Sequence, residues 1–226
     1  RVKDNDRYLG AQIRLGVVLA KAGDADAVVN QHFDTLRRNN PQNGIALYLA
    51  EAEALREAER YQEAFAALNR ALQSYPDDKD LLYARALMAE RLDRLDIVEQ
   101  DLRAIIAASP KNGQALNALG YTLADRTDRY QEALGYIEQA MALLPNDAAV
   151  LDSMGWVQYR MGNQAKALDY LRRAYQANAD PEITAHLCEV LWVSGQREEA
   201  KKIWQQSLAK NPDDRHLRKV QQKFGW

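Results

Sequence analysis

The stretch AAVLDSMGWVQYRMGNQAKALDYLRRAYQANAD (residues 148–180) decides the fold. Its first half is an apolar run at helical spacing with Gly155 in the middle, and a Gly-Asn pair interrupts the run. In the second half Ala167, Leu171 and Ala174 recur at i, i+4 and i+7, which places them on one helical face. Small residues in both halves allow two helix backbones to approach closely. The stretch therefore predicts two helices joined by a short turn.

The second-helix pattern recurs along most of the chain. Its leading residue returns at intervals of 34, 35, 34 and 33 residues, and a proline stands twelve residues after four of the five copies. The leading residues are Ala64, Val98, Ala133, Ala167 and Ala200. A weaker copy led by Val29 precedes them, with Pro41 at the same offset. A period near 34 with small-large-small packing and a terminal proline resembles the tetratricopeptide repeat over about residues 9–213.

The resemblance implies an all-α fold, a right-handed superhelical solenoid whose first helices line the concave face. It implies a single domain over residues 1–226 with six repeats, followed by a capping helix that covers the last hairpin. The expected repeats are 9–44, 45–78, 79–112, 113–147, 148–180 and 181–213, and the expected cap is 214–226. The opening RVKDNDRYLG reads as the end of an earlier element, so we expect a longer protein whose targeting segment lies upstream.

Composition limits the classes of partner. The formal net charge is −2, so no global field draws the chain to nucleic acid or to an anionic membrane. The sequence contains no apolar run long enough to span a bilayer. The one cysteine, Cys188, occupies the repeat position of Gly155, which predicts a buried packing residue rather than a reactive thiol.

No catalytic motif is found in the sequence. Phosphate-binding glycine loops, dinucleotide fingerprints and the zinc-protease motif are all missing. The three histidines, His32, His186 and His216, fall in different predicted hairpins. We therefore predict a protein that is not an enzyme and that uses no cofactor or metal.

The family resemblance implies that a partner peptide or helix binds along the concave face. The inward repeat positions, carried over residue by residue, select Glu53, Arg56, Tyr83, Asn117, Tyr121, Asp152, Trp156, Tyr159, Arg160, Glu189 and Trp192. Trp156 and Trp192 either contact the partner or pack between hairpins, whereas Tyr159 and Arg160 are expected to be exposed. The Lys, Asn and Arg set of the family's carboxylate clamp is missing from the second and third repeats.

A narrower resemblance concerns the last three repeats. Residues 119–147, LGYTLADRTDRYQEALGYIEQAMALLPND, and residues 152–176, DSMGWVQYRMGNQAKALDYLRRAYQ, are similar to Gram-negative outer-membrane lipoproteins with these repeats. Nearest are the adaptors of carboxyl-terminal processing proteases. This implies an adaptor on the periplasmic side of the outer membrane that binds a protease or its substrates, held by a lipid anchor upstream of Arg1. The alternative is a scaffold that assembles envelope or secretion components and regulates no enzyme.

Charge is unevenly distributed along the chain. Residues 45–101 carry 13 acidic and 7 basic side chains, whereas residues 197–223 carry 8 basic and 4 acidic ones. The local net charges are −6 and +4. Two explanations remain: solubility alone, or two segments that dock different surfaces.

Overall fold

The computed structural model describes residues 2–23 and 26–226, with the backbone alone for residues 2–6 and 26. Within these ranges the regular elements are thirteen α-helices and one short 3-10 turn at Pro41–Asn43, and no strand occurs. The predicted all-α fold of helical hairpins is confirmed. No helix in the described part of the chain has the length and apolar character needed to cross a membrane.

Unit 1 comprises residues 1–108 and three helical hairpins. Its helices are α1 (Val2–Lys21), α2 (Asp26–Asn39), α3 (Gly44–Glu57), α4 (Tyr61–Ser74), α5 (Lys79–Arg91) and α6 (Leu95–Ala108). The first helices α1, α3 and α5 contact one another in chain order, and each also packs on its own second helix. This is the nearest-neighbour packing of a repeat array.

Unit 2 comprises residues 109–226, with three further hairpins and a last helix. Its helices are α7 (Gly113–Arg126), α8 (Tyr130–Leu143), α9 (Ala148–Arg160), α10 (Gln164–Ala177), α11 (Pro181–Val193), α12 (Arg197–Lys210) and α13 (Arg215–Phe224). Helix α7 contacts α9, α9 contacts α11, and α11 contacts α13. We call α7, α9, α11 and α13 the inner row. Because α13 buries Leu217 and Val220 against this last hairpin, the predicted cap is confirmed.

A carboxylate or amide starts every helix of the inner row. The side chains of Asn112, Asp147, Asp180 and Asp214 each accept a hydrogen bond from a backbone N–H in the first turn that follows. Such caps satisfy donors that the helix itself leaves unpaired, and each stabilises the helix by about 1 kcal/mol. The caps recur about once per repeat, which fixes where each inner helix begins.

Small residues set the distance between the two helices of a hairpin. A Cβ placed on Gly155 would lie 2.6 Å from Cγ of Leu171 and 3.1 Å from the carbonyl oxygen of Ala167. Gly120 is equally constrained, with Ile137 Cγ1 only 2.5 Å from the site of a Cβ. The close approach predicted from these glycines is therefore present.

The expected repeat bounds stay a prediction, but the first helix begins earlier than the sequence indicated. The first repeat was expected to start at residue 9, with RVKDNDRYLG ending an earlier element, but α1 runs without a break from Val2 to Lys21. The helix continues because nothing before Gly10 interrupts it, and a single glycine inside a helix costs only about 1 kcal/mol. The continuous solenoid over residues 1–226 stays a prediction.

Candidate functional site

An open cleft of about 530 Å³ lies on unit 2, along the inner row. All four helices of the row contribute side chains to it. Three of these side chains, two aromatic and one cationic, come from α9. The lining residues are Asp125, Arg126, Trp156, Tyr159, Arg160, Glu189, Lys219 and Lys223.

Trp156 forms the floor of this cleft. Its ring stacks on that of His186, with centroids 4.1 Å apart, and its Nε1 donates to Oδ1 of Asp125 at 3.2 Å. Only 7% of Trp156 is exposed. Trp156 was expected either to contact a partner or to pack between hairpins, and its position in the structure is a packed one.

Buried polar groups continue beneath the floor. His186 Nδ1 lies 2.9 Å from Oδ2 of Asp152, and Tyr121 Oη donates to Oε1 of Glu182 at 2.8 Å. Burial alone would lower the pKa of His186, but the carboxylates of Asp152, Glu182 and Asp125 outweigh it and raise that pKa. A buried histidine–carboxylate pair thus links α9 to α11 directly below the cleft.

The walls of the cleft hold two half-buried residues that were expected to be exposed. Burial, and then the neighbouring Glu189, raise the pKa of Tyr159 to about 12, so its phenol stays a hydrogen-bond donor. Arg160 donates from Nη1 to the carbonyl oxygen of Asp125 and from Nη2 to Oη of Tyr130, both at 2.8 Å. These bonds hold the side chain of Arg160 partly inside the wall, and Tyr159 is also half-buried, so both are less exposed than expected.

At the far side α13 closes the cleft. Lys223 Nζ donates to Oε1 of Glu189 at 2.7 Å, and Glu189 is largely buried. Trp192 lies outside the cleft lining. Its ring packs against those of Phe224 and Trp226, with centroids 5.4 and 4.9 Å away, so it helps to hold the cap.

The cleft gathers four of the eleven predicted residues, Trp156, Tyr159, Arg160 and Glu189. Tyr121 and Asp152 lie in the network beneath it. The remaining residues do not line it: Glu53 and Arg56 form an exposed ion pair on α3, Tyr83 is half-buried on α5, Asn117 is half-buried on α7, and Trp192 packs on the cap. Whether any of these eleven contacts a partner stays a prediction.

Sequence reasoning missed His186 beneath the cleft and four of its lining residues, Asp125, Arg126, Lys219 and Lys223. One signal was present in the sequence. Asp152 and His186 are 34 residues apart, as are Glu189 and Lys223. Opposite charges about one repeat apart fall on neighbouring inner helices at nearly the same height, where they can face each other.

The chemistry of the remaining reactive groups is limited. Cys188 is fully buried, its Sγ donates to the carbonyl oxygen of Ala200 at 3.4 Å, and burial raises the pKa of its thiol to about 12. A protonated thiol is a poor nucleophile, and the packing role predicted for Cys188 fits this position. Across the described residues no group of three or more His, Cys, Asp or Glu side chains is arranged to hold a metal ion.

Two family models, both described as tetratricopeptide repeat, match residues 49–96 with 99–149 and residues 158–224. The chain is 48% identical over 189 residues to TPR repeat-containing protein PA4667 of Pseudomonas aeruginosa, a match that covers 84% of this chain and 32% of that protein. It is 24% identical over 134 residues to the type IV pilus assembly protein PilF of the same organism, covering 58% of this chain and 53% of PilF. The chain thus spans about a third and about half of these relatives.

Solved structures agree on the fold. The crystal structure of PilW, a type IV pilus biogenesis factor, superposes with a TM-score of 0.68 over 94% of this chain and 98% of PilW. At 16% sequence identity this likeness concerns the arrangement of helices alone.

Proposed function

Because this chain belongs to the tetratricopeptide repeat family, whose members generally mediate protein–protein interaction, we propose that it binds a partner protein in the cleft of unit 2. In this proposal the chain is a non-catalytic adaptor. Its partner is a periplasmic processing protease, a substrate of that protease, or both, and the adaptor tethers or activates the enzyme.

The cleft is the observation that carries the proposal. Its lining includes the aromatic ring of Tyr159 and the guanidinium of Arg160, which are adjacent residues of helix α9. Tyr and Arg are enriched among the residues that dominate binding energy, because they bring large contact area and directed hydrogen bonds. Since α9 packs between α7 and α11, these side chains are already positioned before a partner arrives.

The protease and the location rest on the narrower resemblance. Residues 119–147 and 152–176 are similar to the repeats of lipoprotein adaptors of carboxyl-terminal processing proteases, and these two segments build most of the cleft wall. We place the protein on the periplasmic side of the outer membrane on the same basis. Fractionation of cells that carry the native protein tests the location.

A second candidate is an assembly scaffold for envelope components. Its support is the 24% identity to PilF, a type IV pilus assembly protein. The effect of the chain on an enzyme partner distinguishes the two candidates.

The main protein that co-purifies with the chain is identified and, if it is an enzyme, its activity is assayed with and without the chain. An adaptor raises the turnover of a protein substrate, whereas a scaffold leaves it unchanged.

Binding through the cleft is tested with a double variant and a matched control. The test variant, Tyr159→Ala with Arg160→Ala, removes a tyrosine and an arginine from the cleft. The control variant, Tyr170→Ala with Arg173→Ala, removes the same two residue types from α10. In the control site Arg173 lies over the Tyr170 ring. We expect affinity for the co-purified partner to fall at least about tenfold in the first variant and less than about twofold in the second. Equal affinity of the two variants would place the docking site elsewhere. Trp156 is left intact because its burial makes it part of the packing.

A further inference from the structure

The carboxylates that line the cleft are already engaged by donors of the cleft itself. Asp125 accepts from the indole of Trp156, and Glu189 accepts from Lys223. Glu189 also lies beside the phenol of Tyr159, whose pKa it helps to raise. Part of the acceptor capacity of each carboxylate is therefore already used inside the cleft.

Two cationic side chains of the cleft, Arg160 and Lys219, have no carboxylate partner among the described residues. Among the described residues the guanidinium of Arg160 bonds to neutral acceptors, the carbonyl oxygen of Asp125 and the hydroxyl of Tyr130, and to no carboxylate. Lys219 is exposed on α13 and makes no ion pair or hydrogen bond within the part of the chain that the structure describes. In all, the lining has four cationic side chains and two carboxylates, a formal charge of +2.

We propose that the cleft holds an acidic segment of a partner protein, whose side-chain carboxylates pair with Arg160 and Lys219. This inference rests on the proposed function and adds the chemistry of the ligand. A half-buried guanidinium that lacks an anion gains most from a carboxylate, because charge-assisted hydrogen bonds are stronger where water is partly excluded. Beyond its bonds to Asp125 and Tyr130, the guanidinium of Arg160 keeps three further N–H groups that can donate to a carboxylate.

A peptide fits these observations better than a nucleic acid. Bases bind to single-strand sites by stacking on exposed aromatic faces, and the Trp156 face is covered by His186. The chain as a whole has a formal charge of −2, so no overall positive field favours a long polyanion.

The test measures binding of labelled short peptides to the purified chain by fluorescence anisotropy. The first peptide alternates glutamate with serine and has an amidated C terminus, so its only carboxylates are side chains. The second peptide replaces every glutamate by glutamine. The third is the glutamine peptide with a free C-terminal carboxylate. We expect the glutamate peptide to bind at least about tenfold more tightly than both others, with an affinity that falls as salt rises. Equal binding of the glutamate and glutamine peptides would overturn the proposal, and tight binding of the third peptide alone would assign the cleft to chain termini instead.

Three variants locate the binding. Lys219→Gln removes an exposed cation that supports no other residue, and Arg160→Gln removes the guanidinium. The control, Arg173→Gln with Lys202→Gln, removes two exposed cations from the second helices α10 and α12. We expect a loss of about fivefold or more for each cleft variant and less than about twofold for the control. A control that loses as much as the cleft variants would show that net charge, not the cleft, holds the peptide.

The outcome is separable from that of the proposed function. If the partner protein binds through Tyr159 and Arg160 while acidic peptides do not bind, the ligand chemistry is wrong and the adaptor proposal stands. If acidic peptides bind in the cleft while no partner protein is captured, the adaptor proposal fails and the ligand chemistry stands.

Discussion

The two units bury their charged side chains in different places. In unit 1, Glu51 is fully buried and its carboxylate contacts Arg37 of α2 at 2.6 Å and Arg70 of α4 at 2.9 Å. In the next hairpin Arg85 reaches Asp101 of α6 at 2.7 Å. Every one of these contacts involves a second helix. Unit 2 instead places its buried pair between two inner helices.

The difference lies in which repeat position carries the charge. Glu51 and Arg85 stand immediately before the small residues Ala52 and Ala86. At the equivalent position unit 2 has Leu119, Met154 and Leu187, all buried and apolar. Its buried charges stand elsewhere, at Asp152 and His186, next to the cleft. The same repeat pattern thus allows a first helix to direct a buried charged side chain either toward a second helix or toward the neighbouring first helix.

The chemical partners differ as well. An arginine stays charged at every accessible pH, so the charge of the arginines around Glu51 does not change near neutrality. A histidine changes its charge in that range, so the pair below the cleft titrates. Burial raises the pKa of Glu51 despite the nearby Arg37 and Arg70, so the contrast between the units lies in the cation: the arginines of unit 1 keep their charge near neutrality, whereas the histidine of unit 2 does not.

The largest expected effect tests the buried carboxylate of unit 1. Glu51→Ala leaves Arg37 and Arg70 without their shared anion, and loss of one partner of a buried pair costs about 3–5 kcal/mol in the free energy of unfolding. Glu53→Ala on the same helix is the control, because its exposed pair with Arg56 contributes about 1 kcal/mol or less. Urea denaturation of both variants gives the two values. Similar losses would mean that burial does not distinguish the two glutamates.

A smaller effect is expected where the hairpins cross. Unit 1 has alanine at this position in two hairpins, Ala52 and Ala86, whereas unit 2 has Gly120 and Gly155. Gly155→Ala forces a methyl group against Leu171, and overpacking of this kind costs about 1–3 kcal/mol.

Gly135 supplies the matched control for this change. It lies inside α8 with nothing within 4 Å of the site of a Cβ. Gly135→Ala is therefore expected to stabilise the protein by up to about 1 kcal/mol through helix propensity. Thermal unfolding followed by circular dichroism compares the two variants. Stabilisation by both changes would show that the crossing in unit 2 has room for a methyl group.

The smallest expected effect is a pH dependence near neutrality that His186 contributes in unit 2. Because the pKa of His186 is raised above its ordinary value of 6.5, the folded state binds the proton more tightly than the unfolded state. The added stability is fully present below the unfolded pKa and is lost as pH rises through the folded pKa. His186→Gln should flatten this dependence.

Tryptophan fluorescence isolates this effect, since all four tryptophans lie in unit 2. Unfolding by urea is followed at a series of pH values around neutrality, for the wild type and for His186→Gln. A wild-type midpoint that does not move with pH, or a variant that moves as much as the wild type, would remove His186 from the explanation.

Much of the fold could be read from the chain itself. The period near 34, the small residues at 155, 167 and 174 and the prolines after each second helix are local features, and the hairpins follow from them. The family resemblance then supplied the inward repeat positions. Four of the cleft residues were found in this way, among them Tyr159 and Arg160.

What the sequence by itself determined is therefore the helices, their pairing and the side chains that point inward. Only the tertiary structure decided which of these are covered: Trp156 is buried because His186 of the next repeat stacks on it, and Arg160 is half-buried because Asp125 and Tyr130 of the previous repeat accept its hydrogen bonds. The physical reason is that a helical period fixes the direction of a side chain within its own helix. Its burial and its charge depend on what a neighbouring repeat, some 30 to 35 residues away, places opposite it.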